Sequence, residues 1–294
     1  MSGEAALVQS VQARLLTHAR AIGSDPNLVL TRYAVERFLY RLSRSPDAER
    51  FVLKGALLIL AWLGDGLRPT RDADLLGFGE LDDEALTGLF AAICSVDVQA
   101  DGMQYLADSV RVAPIRAADA YGGQRVTLMA MLGPARLRVQ VDVGIGDAMV
   151  PAPGWLDYPS LLDLPRPHLR AYAPETVVAE KLHAVVVLGA RNSRMKDYYD
   201  LHALIEAGIP DASQLIDAIT ATFQRRGTLL PTAVPLGLDE NFALDGARQA
   251  QWAAFLDRNR LDAPELGQVL DVLRRYLEPP LRTACEQEGK VWRA

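Results

Sequence analysis

A chain of 294 residues, 50% of them hydrophobic, can bury a full core in one large or two smaller domains, which excludes a disordered or low-complexity protein. A net charge of -6 excludes wholesale coating of nucleic acid while leaving room for a local basic groove, and two distant cysteines, Cys94 and Cys285, exclude a disulfide framework or a CxxC metal site. The opening MSGEAALVQSVQARL lacks a basic-then-apolar leader, and apolar runs such as LLILAWLG fall short of the roughly 20 residues of a membrane span. A cytoplasmic protein in a reducing compartment, with no membrane partner, is expected.

Residues 5–20 and 29–43 carry apolar positions at helical spacing, with Ser24, Asp25 and Pro26 as cap and first turn of the second helix. Residues 51–63 read as a further apolar helix, and the turn Gly64–Thr70 delivers the chain to a short strand carrying Asp72 and Asp74. Asp82 and Asp83 cap the helix EALTGLFAAIC. A β-rich section spans about 95–150. Its clearest strand is RLRVQVDV, where Arg136, Arg138, Gln140 and Asp142 alternate with Leu137, Val139, Val141 and Val143. RVTLMAML followed by Gly133 and Pro134 makes its antiparallel hairpin partner.

Residues 151–170, with Pro151, Pro153, Pro159, Pro165 and Pro167, read as a boundary segment. Helices then cover 173–188 and 195–207 around the basic turn GARNSR, and 212–225 and 263–283 with a looser connection between. The predicted fold is α+β: a small mixed sheet flanked by helices, followed by a helical C-terminal domain, divided as 1–165 and 166–294.

The i, i+2 spacing of Asp72 and Asp74 sends both carboxylates to one side of a strand, where like charges are costly without a cation between them. Magnesium suits such a pair, because it takes hard oxygen ligands and keeps positions open for substrate phosphates. An isolated DxD is more often a solvated turn. Asp142 on the polar side of its strand could add a third carboxylate or be a surface residue. Lys181 sits in an apolar helical run and must snorkel or find an anion. Arg194 with Asp197 and Lys196 with Asp200 have the spacing of helical ion pairs, which are usually solvated. Arginines also cluster at Arg136 and Arg138, at Arg166 and Arg170 around His168, and at Arg191, Arg194 and Lys196.

The order LKGALLILAWLGDGLRPTRDADL, then VQVDVGIGD, then APETVVAEKLHAVVVLGARNSRMKDYYDL, resembles the AbiEii-type nucleotidyltransferases over roughly residues 50–205. These are the toxins of type IV toxin-antitoxin systems, with a DNA polymerase β-like nucleotidyltransferase core. By position the resemblance implies Asp72 and Asp74 as the metal pair, Asp142 as the third metal ligand, Lys181 as the lysine on the nucleotide phosphates, and Asp200 as a catalytic or positioning aspartate. Nucleotide binding is expected at Lys54, Gly55, Thr70 and Arg71 beside Lys181, and the acceptor backbone on the basic turn at Arg191, Arg194 and Lys196, with Arg136 and Arg138 as additions. The family usually has KGG or a Gly-Ser pair where this chain has Lys54, Gly55 and Ala56.

The resemblance implies a nucleotidyltransferase that moves a nucleoside monophosphate from an NTP to an acceptor hydroxyl with two Mg2+ ions. The expected acceptor is RNA, most directly the 3′ end of tRNA, and the expected partner is a separately encoded antitoxin. Transfer to a protein hydroxyl, a non-catalytic nucleotide- or partner-binding module, and a metal nuclease are the competing readings. Thr70 is a hypothetical control point, since phosphorylation would add about two negative charges beside the metal acids; full activity of Thr70→Glu would argue against it.

Overall fold

A computed structural model describes residues 3–64, 67–115 and 122–293. Parts of the predicted Gly64–Thr70 turn and of the β-rich section, residues 65–66 and 116–121, lie outside the described residues. The chain forms two compact units: one of residues 1–61, 69–146 and 154–171, the other of residues 62–68, 147–153 and 172–294.

The first unit is a seven-stranded mixed sheet with helices. In chain order it contains α1 (Gly3–Ala21), α2 (Pro26–Arg44), β1 (Phe51–Lys54), α3 (which starts at Ala56 and ends at Leu63), β2 (Asp72–Gly77), α4 (Asp83–Cys94), β3 (Met103–Pro114), β4 (Gly123–Leu132), β5 (Ala135–Ile145), β6 (Gly154–Asp157) and β7 (His168–Ala171). The strand order is β3-β4-β5-β2-β1-β7-β6. The helix starts follow their caps: Asp25 accepts from the Asn27 amide ahead of Pro26, and Asp82 accepts from the Ala85 amide, both at 2.8 Å. One sheet face buries Ala73, Leu75, Val139, Val141 and Val143 in the core that also holds the stacked Phe38 and Phe90 rings.

Two predicted segments fold differently. Residues 51–63 are not one helix: Phe51–Lys54 is a strand, Gly55 turns the chain at φ 74°, and α3 begins at Ala56. A short apolar run cannot separate a buried strand from a helix by periodicity, and pairing with β2 decides it. The proline-rich stretch likewise yields β6 and β7, because its prolines flank those strands. The loop between them is bolted to α2: Glu36 accepts from the Ser160 hydroxyl (2.7 Å) and the Leu161 amide (2.8 Å), and Arg37 donates to the Pro165 carbonyl (2.8 Å).

Asp101, 1% exposed, ties α2 to the start of β3. It accepts from Arg41 at 2.7 and 3.1 Å, from Arg37 at 3.1 Å and from the Met103 amide at 3.0 Å.

The second unit contains α5 (Pro174–Leu188), α6 (Met195–Glu206), α7 (Ala212–Arg225), α8 (Glu240–Leu244), α9 (Gly246–Asn259) and α10 (Leu266–Gln287). Its core includes Leu182, Val185, Leu201, Phe223, Leu273 and Leu277. The connection read as loose holds α8 and α9, started by Asp239 and Asp245, each accepting a backbone amide at 2.8 Å. Beneath α5 and α7, Arg226 donates to Glu180 (3.1 Å) and to Nδ1 of His183 (3.2 Å), which leaves His183 Nε2 to donate to the Thr228 hydroxyl (2.9 Å). Burial, and then the Arg226 charge, lower the His183 pKa to about 4.

Two outcomes follow for stability. Asp101→Ala strands two buried guanidinium groups and should cost about 3–5 kcal/mol in denaturant unfolding; a loss under 1 kcal/mol would contradict the bolt. His183 has a folded-state pKa below its unfolded 6.5, so its contribution is present above pH 6.5 and is lost as pH falls through about 4. Melting between pH 7 and 5 should show that loss, on the order of 1–2 kcal/mol, and His183→Gln should flatten it.

Candidate active site

In the first unit the strand registers place four charged residues in one row. Lys54 lies opposite Asp74 across the β1–β2 ladder, Asp74 opposite Asp142 across the parallel β2–β5 pair, and Asp142 opposite Arg125 across the β5–β4 hairpin. Side chains directly opposite share a face, so Lys54, Asp74, Asp142 and Arg125 cross four adjacent strands, about 4.8 Å apart, on the side away from Val141 and Val143. Asp72 stands two residues from Asp74 on the same face, opposite Gln140. The three acids are half-buried, while Ala73, Val141 and Val143 between them are fully buried.

Arg125 holds Asp142 in a bidentate pair at 2.8 and 2.7 Å, with the arginine side chain 42% exposed and the aspartate 18%. The Asp72 carboxyl is pushed above its ordinary value, first by burial and then by the Asp142 charge, against the pull of Arg125, Arg138 and Arg71. Gly55 serves the same row: at φ 74° it adopts a backbone that side chains rarely tolerate, and a Cβ there would run into the Asp74 carboxylate. Ala56, at the family's glycine or serine position, is the first residue of α3. The half-buried Thr70 hydroxyl reaches the Asp72 carbonyl at 3.5 Å, and Arg71 is exposed.

The donor set fits a hard divalent cation, with the oxygens of three carboxylates on one face of two adjacent strands. Among the described residues no three acidic, histidine or cysteine side chains are already drawn together around an ion position. Asp142 would have to exchange part of its arginine pair for a metal.

The second unit places the other predicted residues. Lys181, on α5, donates to Asp200 (2.7 Å) and Asp197 (3.0 Å), both on α6. Arg68 donates twice to Asp200, at 2.7 Å each. The helical-spacing expectation for Lys196 and Asp200 gives way to this pairing, because Asp200 and Asp197 point inward, 2% and 1% exposed. Burial pulls the Lys181 ammonium down, but Asp200 and Asp197 outweigh it and hold the pKa above its ordinary value. Asp200 is the mirror case: burial raises it, and Lys181 with Arg68 brings it below the usual carboxylate range. Arg194 lies 2.7 Å from Asp197. Arg191 and Lys196 are exposed on the basic turn and the first turn of α6.

Arg125, Arg68 and Asp197 were not among the predicted site residues. Arg125 could have been found by counting: the turn pairs Leu132 with Ala135, and the same register carried back sets Arg125 opposite Asp142. No comparable signal marks Arg68, whose partner lies far along the chain. Lys181→Met leaves two buried aspartates short of a cation, so unfolding should become easier by about 3–5 kcal/mol. An unchanged melting temperature would show that Lys181 is not needed for the fold.

No curated protein matches the chain significantly. Among solved structures, JHP933 from Helicobacter pylori is 14% identical with a TM-score of 0.45, covering 86% of this chain and 91% of its own. A candidate nucleotidyltransferase from H. pylori is 17% identical with a TM-score of 0.39, covering 85% and 90%. The family model for the nucleotidyl transferase AbiEii toxin of type IV toxin-antitoxin systems matches residues 37–284. With most of its length under that match, the chain belongs to the AbiEii nucleotidyltransferase toxin family.

Proposed function

We propose that the protein transfers a nucleoside monophosphate from an NTP to a hydroxyl of RNA, most directly the 3′ end of tRNA, and that a cognate antitoxin restrains it. The observation that carries this reading is the row of Lys54, Asp74, Asp142 and Arg125 with Asp72 beside it. Asp72, Asp74 and Asp142 would hold one or two Mg2+ ions, which when bound favour deprotonation of the acceptor hydroxyl and neutralise the leaving pyrophosphate. Lys54 and Arg125 flank the acids and supply positive charge for a triphosphate without proton transfer. Gly55, having no Cβ, leaves room for the Asp74 carboxylate.

Lys181 takes a different part from a bare phosphate ligand. With Asp197 and Asp200 already on its ammonium, it holds the α5–α6 pair and, with Arg68, fixes Asp200. Asp200 thereby acts as a positioning residue for Arg68 within the second unit. Arg191 and Lys196 remain exposed cations suited to an RNA backbone.

Incubation with labelled NTPs and total RNA should put label into RNA. Asp72→Ala and Asp74→Asn should each lower incorporation on the order of a hundredfold or more, and chelation should abolish it until Mg2+ is restored. Label entering protein instead would transfer the same chemistry to a protein acceptor, a reading mildly favoured by the net charge of -6. Growth inhibition unchanged by Asp72→Ala would show that the chemistry is irrelevant to toxicity.

A further inference from the structure

The far edge of the sheet carries a second arrangement of chemistry. Within the sheet β6 pairs only with β7, and its register sets Trp155 opposite Arg170 and Asp157 opposite His168. Those four side chains therefore share one face of the hairpin, while Leu169 is buried behind it. The Trp155 and His168 rings stack with centroids 4.9 Å apart and planes within 2°. The stack is not core packing, since Trp155 is 56% exposed and the His168 side chain 59%. Asp157, 2.7 Å from His168 Nδ1, fixes the imidazole in the stacked position.

A cavity of about 530 Å³ opens beside this stack, lined among others by Trp155, His168, Tyr40, Arg44, Arg166 and Glu49. Arg44 and Arg166 are both exposed. The Arg37 guanidinium lies 4.3 Å over the Tyr40 ring and steadies that wall. A preformed aromatic face beside two free-standing guanidinium groups and one carboxylate suits a ligand that offers a flat ring and an anionic group together. Successive nucleotides of a single strand offer that combination, because every base has a π-face and every linkage a phosphate.

Position supports the same ligand. Leu53 pairs with Ala171, and Ala171 with Gly154, so Trp155, the next residue, faces the side of the sheet that carries Lys54 and Asp74, while Tyr40 and Arg44 reach the cavity from the C-terminal end of α2. From β2 to β6 is three strand spacings, and the register sets Trp155 and His168 about two and four residues along the strands from the level of Lys54, so the stack stands roughly 15–20 Å from the acids. A few nucleotides of single strand span that distance.

We propose that the Trp155–His168 stack, with Arg44 and Arg166, binds single-stranded RNA a few nucleotides back from the end presented to Asp72, Asp74 and Asp142. The inference rests on the RNA-acceptor reading above. Base stacking on Trp155 supplies sequence-tolerant affinity, and the two arginines hold phosphates.

Anisotropy of a labelled single-stranded RNA of about a dozen nucleotides, bound to the full chain, tests the site. Trp155→Ala should weaken binding about tenfold and Trp155→Phe should restore most of it. Arg44→Ala and Arg166→Ala should each lower the slope of log affinity against log salt by roughly 0.7. Circular dichroism and melting of Trp155→Ala should match the wild type, because the ring is largely exposed. Wild-type affinity in Trp155→Ala, with label still entering RNA, overturns this site and leaves the transferase reading intact. If the wild type binds no RNA and labels only protein, both fall together. Loss of antitoxin neutralisation in Trp155→Ala, with RNA affinity unchanged, would make the face a protein interface and also overturn the proposal.

Discussion

Asp74 and Asp142 stand side by side on parallel strands, and two carboxylates that close in a half-buried setting repel unless cations flank them. Lys54 and Arg125 occupy the flanking strands in the same row, so charge runs plus, minus, minus, plus across four strands. The β2–β5 register is the constraint on which the site depends. A slip by one residue would send Asp74 or Asp142 to the buried face among Ala73, Val141 and Val143, where a lone carboxylate is costly. The apolar alternation on one face thus enforces the acidic arrangement on the other.

The second unit solves a related problem by burial. Asp197 and Asp200 are nearly inaccessible, and Lys181, Arg68 and Arg194 surround them within 3.0 Å. Buried pairs of this kind contribute little net stability over apolar packing, but removing one member is severe. Here they tie Arg68 and α5 to α6 within the second unit.

The sequence disclosed those features whose physical cause is local. Asp25 with Pro26 and Asp82 announced their helices, and the unbroken alternation from Arg136 to Val143 announced β5 and the outward side of Asp142. Where the cause is distant the text misleads. Phe51–Lys54 reads as helix because its apolar run lacks period, and pairing with β2 and β7 makes it a strand. Lys181 and Asp200 were recognisable as functional candidates, but not their mutual pairing, since the bond joins two helices. Gly55 was legible as an expected nucleotide-site residue; that its missing side chain leaves room for the Asp74 carboxylate follows from the ladder alone.

The central claim is that the row of acids is a divalent-cation site, and Mn2+ titration followed by electron paramagnetic resonance tests it most directly. The expected result is Mn2+ bound by the wild-type protein and lost in both Asp74→Asn and Asp142→Asn, with the fold of each variant intact. Mn2+ affinity equal in the wild type and both variants would contradict the claim.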